Sequence, residues 1–384
     1  MIDYMNKSNK TEQQFFMLLR AGLWETDVRL VSINDGDFAE IIRLAKEQSV
    51  EGMIAAGIEH VADVELPEEE SVKLVGQAWH LELQNTEMND FIGKTVKEMG
   101  ACGIKTLLVK GQGIAQCYER PLYRACGDVD FLLDEINFEK AKELLLPKAH
   151  HIGQESKYAK HLGMRIEEWE VELHGTVRCG LSKRIDRVLD ALQYDSCTNG
   201  NVRVWKNGEA EVLLPAVDND VLFVFTHFLN HFYKEGVGVR QICDWCRLLW
   251  TYRKEVDVDL LGTRLRKMGL MSEWKAFASF AVEFLGMPHE AMPYYDHSAK
   301  WKRKASLIKT FVMEVGNFGS KRDLTYHKKY PFIIRKSLSV IHRLRDVLRH
   351  AQLFPLDSLR FFFNMMCVGL QNSTMGPANE RRVE

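Results

Sequence analysis

The period of the apolar positions changes twice along the chain. Over residues 11–100 it is helical: Phe15, Phe16, Leu18, Leu19 and Leu23 recur at one-face spacing. A second helix is predicted from Phe38 to Gln48, with Asp35 or Asp37 as its cap. A long amphipathic stretch without proline runs from Glu68 to Met99, and Gly100 and Gly103 end it. From Ile104 to about Val217 the pattern is mixed. It predicts strands at 104–109, 127–133, 168–177, 202–205 and 211–214, and helices at 112–119, 137–146 and 183–191. After Pro215 the helical period returns at 218–233, 239–253, 257–268 and 271–285. The tail after Gln371 is polar and is expected to fray. This order predicts an α+β protein with a small mixed sheet and helical regions on both sides. The expected divisions are 1–100 helical, 101–216 as the core, 217–370 helical and 371–384 a tail.

The mixed segment carries the candidate chemistry. Asp128 and Asp130 flank Val129 at the start of an apolar run, Phe131, Leu132 and Leu133. With a two-residue strand period both carboxylates share one face, about 6.6 to 7 Å apart along the chain. Two like charges so placed repel unless a cation lies between them, and a hard divalent ion takes such oxygen ligands. Upstream, Lys110, Gly111 and Gly113 close a short apolar strand. Glycines there let the backbone approach a phosphate, and successive N–H groups can form an anion-binding nest. A third carboxylate is expected on a neighbouring strand. In Glu167–Val177, residues Glu168, Glu170, Glu172 and His174 share one face, so Glu170 or Glu172 can complete an acidic cluster; taken alone, the strand reads more readily as a solvated sheet edge. Such a cluster with two Mg2+ ions would bind nucleotide phosphates and activate a hydroxyl.

Charge and cysteine content narrow the picture. The net charge of -2 argues against a nucleic-acid partner. Residues 300–360 nonetheless hold 15 Lys and Arg against 4 Asp and Glu. A solvated helix face, an anionic membrane surface and an anionic acceptor such as RNA are three readings of that segment. Peripheral membrane contact through this basic C-terminal region therefore stays open. The eight cysteines are scattered, and the lone CxxC, Cys243 and Cys246, lies in an apolar helical pattern that reads as buried thiols. With no apolar leader at the N-terminus and no run of 18 apolar residues, a reducing, cytoplasmic setting is expected.

The motifs together resemble the DNA polymerase beta-like nucleotidyltransferase superfamily, and within it the bacterial branch of uncharacterised nucleotidyltransferase family proteins. The residues that carry the resemblance are Val109-Lys110-Gly111, Arg124, Gly127-Asp128-Val129-Asp130-Phe131-Leu132-Leu133 and Glu172-Leu173-His174, then His227, His231 and Val237 to Trp245. They span roughly residues 15–260. The resemblance implies a metal-dependent transfer of a nucleoside monophosphate from an NTP to an acceptor hydroxyl on a small molecule, a saccharide or a protein. It implies Mg2+, or Mn2+, held by Asp128, Asp130 and Glu172 as metal ligands and catalytic residues. Lys110, Gly111, Gly113, Arg124, His231 and Arg240 are the nucleotide-binding candidates. Two departures stand out: the pair Gly111-Gln112 lacks the usual serine, and Glu172 stands where related proteins commonly carry Asp. Alternatives remain for several residues. His227 and His231 face the cleft or belong to the core; Arg240 pairs with Asp244 within a helix or contacts substrate; Arg124 steadies a triphosphate or neutralises the acidic cluster. A catalytically inactive nucleotide-binding or scaffold protein of the same fold is the alternative function.

Overall fold

The computed structural model describes residues 2–30, 33–156, 160–317 and 344–374, with the side chains of 2–9, 365 and 367–374 excepted. Three helices open the chain: α1 (Ile2–Trp24), α2 (Asp35–Gln48) and α3 (Glu51–Ile58), followed by the long α4 (Glu68–Ala101). The cap of α2 differs from expectation. Asn34 accepts a hydrogen bond from the Asp37 backbone N–H at 2.9 Å, and Asp37 accepts one from the Asn34 side chain at 2.9 Å. Asp35 and Asp37 thus lie inside the first turn, where acidic side chains meet the positive end of the helix dipole.

The mixed segment contains β1 (Leu107–Val109), α5 (Gly111–Ala115), β2 (Asp128–Leu132), α6 (Glu135–Leu145), β3 (His151–Ile152), β4 (His161–Ile166) and β5 (Trp169–His174). It continues with α7 (Lys183–Cys197) and a hairpin of β6 (Val202–Asn207) and β7 (Ala210–Pro215). The five-stranded sheet has the order β1-β2-β5-β4-β3. β2 and β5 are parallel and the other neighbours antiparallel, so the sheet is mixed as expected. β3 and β4 were not predicted. In β4 only Leu162, Met164 and Ile166 alternate inward, and Gly163 interrupts the run.

Alternation divides the faces of this sheet. Val129, Phe131, Leu162, Met164, Val171 and Leu173 are buried in one apolar cluster with Phe91 and Ile92 of α4 and Phe138 and Ala141 of α6. The intervening residues, Asp128, Asp130, Glu172 and His174, therefore project to the other face. The register sets Asp130 beside Glu172 and His161 beside His174.

The rest is helical: α8 (Val217–Lys234), α9 (Val239–Thr251), α10 (Val258–Met268), α11 (Met271–Leu285), α12 (Ala299–Val315) and α13 (Pro355–Thr374). A second, larger core joins the two ends of the chain, with Phe15, Leu18 and Phe38 packed in one cluster with Phe228, Trp245, Phe277 and Phe361. Cys243 and Cys246 are fully buried in it, as expected of structural thiols, and burial pushes both thiols up. Helix α13 carries the chain past the expected fraying point at 371. Residues 375–384, and Tyr326, Tyr330, Phe332 and Ile341 of the basic segment, lie outside the described residues. Among the described residues no helix is long and apolar enough to cross a membrane.

Candidate active site

The polar face of the sheet meets α8 and α9 across a cavity of about 40 Å3. Lys110, Gly111, Asp128 and Asp130 form the sheet wall; Val224, His227, Phe228, Arg240, Gln241 and Asp244 form the helix wall. Asp128, Asp130 and Glu172 each bring a carboxylate oxygen within 4.8 Å of the others, as a shared metal site requires. Strand alternation alone left Glu170 and Glu172 equal. The fold separates them: Glu172 joins the cluster, whereas Glu170 is exposed, 3.8 Å from Arg165.

Cations already crowd these acids. The Lys110 ammonium lies 2.7 Å from Asp130 Oδ1, and His174 Nε2 lies 2.7 Å from the same oxygen. Glu172 Oε2 is 3.0 Å from His161 Nε2 and 3.2 Å from His174 Nε2. Repulsion from Asp130, and then burial, raises the Asp128 carboxyl above its ordinary range. Burial works against the Glu172 carboxylate, but its hydrogen bonds with His161 and His174 hold its pKa well below the usual carboxylate range. Burial likewise opposes charge on Lys110 and His174, and their carboxylate partners outweigh it, so both pKa values rise. Asp128 is thus the carboxylate whose repulsion and burial outweigh the opposing charges of Lys110 and Arg240.

The turn that presents Lys110 is unusual. Lys110 has φ 58° and Gly111 φ 40°. A lysine in this region carries backbone strain on the order of 1–3 kcal/mol, which the surrounding structure must hold in place. Its ammonium is paired with Asp130 Oδ1 at 2.7 Å. Gly111 lines the cavity, and a Cβ there would come 3.2 Å from Cys126 Sγ. Gly113 faces elsewhere: a Cβ would sit 2.8 Å from Leu214 Cδ2, so its small size lets α5 pack on β7. Gln112, in the position of the missing serine, also turns away and donates to Asn85 Oδ1 of α4 at 2.6 Å.

The helix wall corrects two expectations. Arg124 does not neutralise the acidic cluster. Its guanidinium makes a bidentate pair with Asp244, 2.9 Å from Nε to Oδ1 and 2.7 Å from Nη2 to Oδ2. Tyr118 donates to the same carboxylate at 2.7 Å. Burial opposes the Asp244 charge, but Arg124 outweighs it and the pKa falls. Arg240 therefore does not pair with Asp244 along α9. One of its terminal nitrogens donates to the Ala125 carbonyl at 2.7 Å, while its buried Nε has no hydrogen-bond partner. His227 lines the cavity, and burial and then the Lys110 charge push its pKa well down. His231 sits one turn behind it, its Nε2 3.2 Å from His227 Nε2 and its Nδ1 3.3 Å from Glu235.

The sequence reading overlooked His161. Its signal was its place as the first polar residue of the alternating segment His161–Ile166, which the register then sets opposite His174.

The sequence profile of a family described as "Uncharacterised nucleotidyltransferase" matches residues 34–286, a span that contains every residue lining the cavity. No curated protein matches the chain. Among solved structures, the crystal structure of an antigenic nucleotidyltransferase-like protein from Paracoccidioides brasiliensis is similar over 49% of this chain and 91% of that one, at 12% identity and a TM-score of 0.30.

Proposed function

The chain belongs to the uncharacterised nucleotidyltransferase family, and we propose that it transfers a nucleoside monophosphate from an NTP to an acceptor hydroxyl, releasing pyrophosphate. The observation that carries this reading is the facing of two unlike walls. One gathers Asp128, Asp130 and Glu172 within 4.8 Å; the other offers Arg240 with an N–H still unpartnered.

The donor set fits a hard divalent ion. It is all oxygen, and repulsion from Asp130 keeps the Asp128 pKa raised although Lys110 and Arg240 oppose it, as an excess of negative charge does. Asp128, Asp130 and Glu172 would hold Mg2+ or Mn2+, which when bound would gather the triphosphate oxygens and lower the pKa of the attacking hydroxyl.

The chain's own side chains do the rest. Arg240 aims spare donors at a phosphate, as charge-assisted hydrogen bonds require. Lys110 exchanges Asp130 for a phosphate oxygen and stabilises the charge that develops on the leaving pyrophosphate. His174 keeps the Asp130 and Glu172 oxygens oriented. Gly111 keeps the backbone close to the site, and Gly113 shapes the turn from behind. Arg124 positions the wall through Asp244, and His231 orients His227. In the transfer, the acceptor oxygen forms a bond to the α-phosphorus as the bond to the β-phosphate oxygen breaks, and the acceptor's proton leaves to solvent or a nearby base.

The cavity limits what enters. At about 40 Å3 it takes phosphate oxygens and an ion, whereas whole-ligand pockets run to several hundred Å3. The nucleoside then lies outside it, or the two walls part to admit it. The same closure favours the second reading, a nucleotide-binding scaffold whose Lys110–Asp130 pair never opens.

The test uses the four NTPs labelled at the α-phosphate, with Mg2+ and a cell extract. The expected result is label transferred to an acceptor with pyrophosphate released, and none with Asp128→Asn/Asp130→Asn. Unchanged transfer by that double variant would remove the carboxylates from the reaction.

A further inference from the structure

The acidic cluster has a nitrogen flank that an all-oxygen Mg2+ site does not use. His161 Nε2 and His174 Nε2 converge on one oxygen, Glu172 Oε2, at 3.0 and 3.2 Å. The two rings are 4.9 Å apart and tilted 50°. Backbone register enforces this arrangement: His161 and His174 are cross-strand partners of β4 and β5, and Glu172 follows two residues away on the same face.

Hydrogen bonding alone leaves the His174 proton shared. An imidazole Nε2 carries at most one N–H. That of His174 faces Asp130 Oδ1 at 2.7 Å and Glu172 Oε2 at 3.2 Å, so one proton serves two carboxylates. A metal ion in its place would satisfy both nitrogens and the shared oxygen together. The spacing suits one: two ligands about 2.0–2.1 Å from a tetrahedral ion lie roughly 3.3 Å apart. Two imidazoles and a carboxylate select a borderline transition ion over Mg2+. The same ligand types, with a fourth position left open, make up a familiar zinc set. About a third of the His161 side chain is exposed, which gives an ion a path from solvent.

We propose that His161, Glu172 and His174 form a second metal site, for a divalent transition ion of the Zn2+ class, which shares Glu172 with the Asp128–Asp130 set. This site does not depend on the transferase reading, because its two nitrogen ligands, His161 and His174, lie outside the Asp128–Asp130–Glu172 set and it is read out by metal binding alone.

The test loads metal-free full-length protein with Zn2+ or with Co2+. Bound metal is measured after gel filtration, and the Co2+ absorption spectrum reports the ligands. About one equivalent of Zn2+ is expected in excess of what Mg2+ displaces, with Co2+ bands of a low-coordinate nitrogen–oxygen site. His161→Ala should weaken Zn2+ binding at least about tenfold, since even outer-shell losses at metal sites reach that size. Asp128→Asn should keep the Zn2+ equivalent while losing Mg2+-dependent nucleotide binding. That pattern separates this site from the proposed transferase centre. Electron paramagnetic resonance of Cu2+-loaded wild type needs no variant, and coupling to imidazole nitrogens is expected. No retained Zn2+, equal affinity in His161→Ala, or a Cu2+ spectrum without nitrogen coupling would each overturn the proposal.

Discussion

The two walls of the cavity hold the same kinds of charge in opposite states. On the helix wall, Arg124 and Asp244 close a bidentate pair, Tyr118 adds a third hydrogen bond, and both ionic side chains are almost fully buried. On the polar face of the sheet, three carboxylates share Lys110, His161 and His174, Lys110 and His174 meet on one Asp130 oxygen, and Asp128 is left repelled. Saturated buried charge fixes geometry. Unsaturated charge facing a cavity is what an incoming ion or phosphate can complete. The difference explains why two arginines on neighbouring elements take different parts: Arg124 joins the loop before β2 to α9, and Arg240 keeps its Nε–H in reserve.

Breaking the helix wall should have the largest effect, and it should be structural. Arg124→Ala leaves Asp244 buried and unpaired, which costs about 3–5 kcal/mol of stability. Asp128→Asn on the sheet wall should cost nothing or stabilise the metal-free protein, because it removes repulsion. Urea unfolding of the two variants side by side tests this. Equal losses would erase the distinction between the walls.

Next comes the choice of third acid. Glu172→Gln should lower turnover about a hundredfold, equivalent to roughly 2.7 kcal/mol, while Glu170→Gln changes little. Steady-state rates with α-labelled NTP decide it, and the reverse order would place the strand one pleat step wrong.

Most of this arrangement could be read from the chain, and the gaps have physical causes. Helices α8 to α11 match their predicted bounds closely because their apolar period is long and uninterrupted. The Asp128–Asp130 face follows from alternation alone. The choice of Glu172 over Glu170 came from the motif; the parallel register sets Glu170 beside Asp128 and Glu172 beside Asp130, and the side-chain cluster takes in Glu172. The partner of Arg124 was unreadable, since Asp244 lies 120 positions away and only the packing of α9 brings it in. His161 was faint for a related reason: the alternation of its strand is interrupted by Gly163, and its place gains meaning only once paired with β5.

A smaller effect belongs to Lys110. Lys110→Ala should weaken NTP binding or slow transfer by at least about tenfold, roughly 1.4 kcal/mol. Titration with a non-hydrolysable NTP, alongside turnover, measures it; equal affinity and equal rate would remove Lys110 from the site.

The smallest expected effect is proton-linked. Although burial opposes it, His174 is held protonated by Asp130 and Glu172, so its folded pKa lies above its ordinary value of 6.5. The stability it adds is fully present below about pH 6.5 and is lost as pH rises through the raised folded value. Metal-free wild type should therefore lose stability relative to His174→Asn across that window. Parallel pH profiles of unfolding free energy would show that the imidazole adds no proton-linked stability.

The central claim is that the sheet wall is incomplete until a divalent ion and a triphosphate fill it. Calorimetric titration of a non-hydrolysable NTP, with and without Mg2+, into wild type and Asp128→Asn/Asp130→Asn tests it most directly. Binding that requires Mg2+ in wild type, and is absent from a double variant whose unfolding midpoint is equal or higher, is the predicted result. Binding of equal strength in both proteins, or binding indifferent to Mg2+, would contradict it.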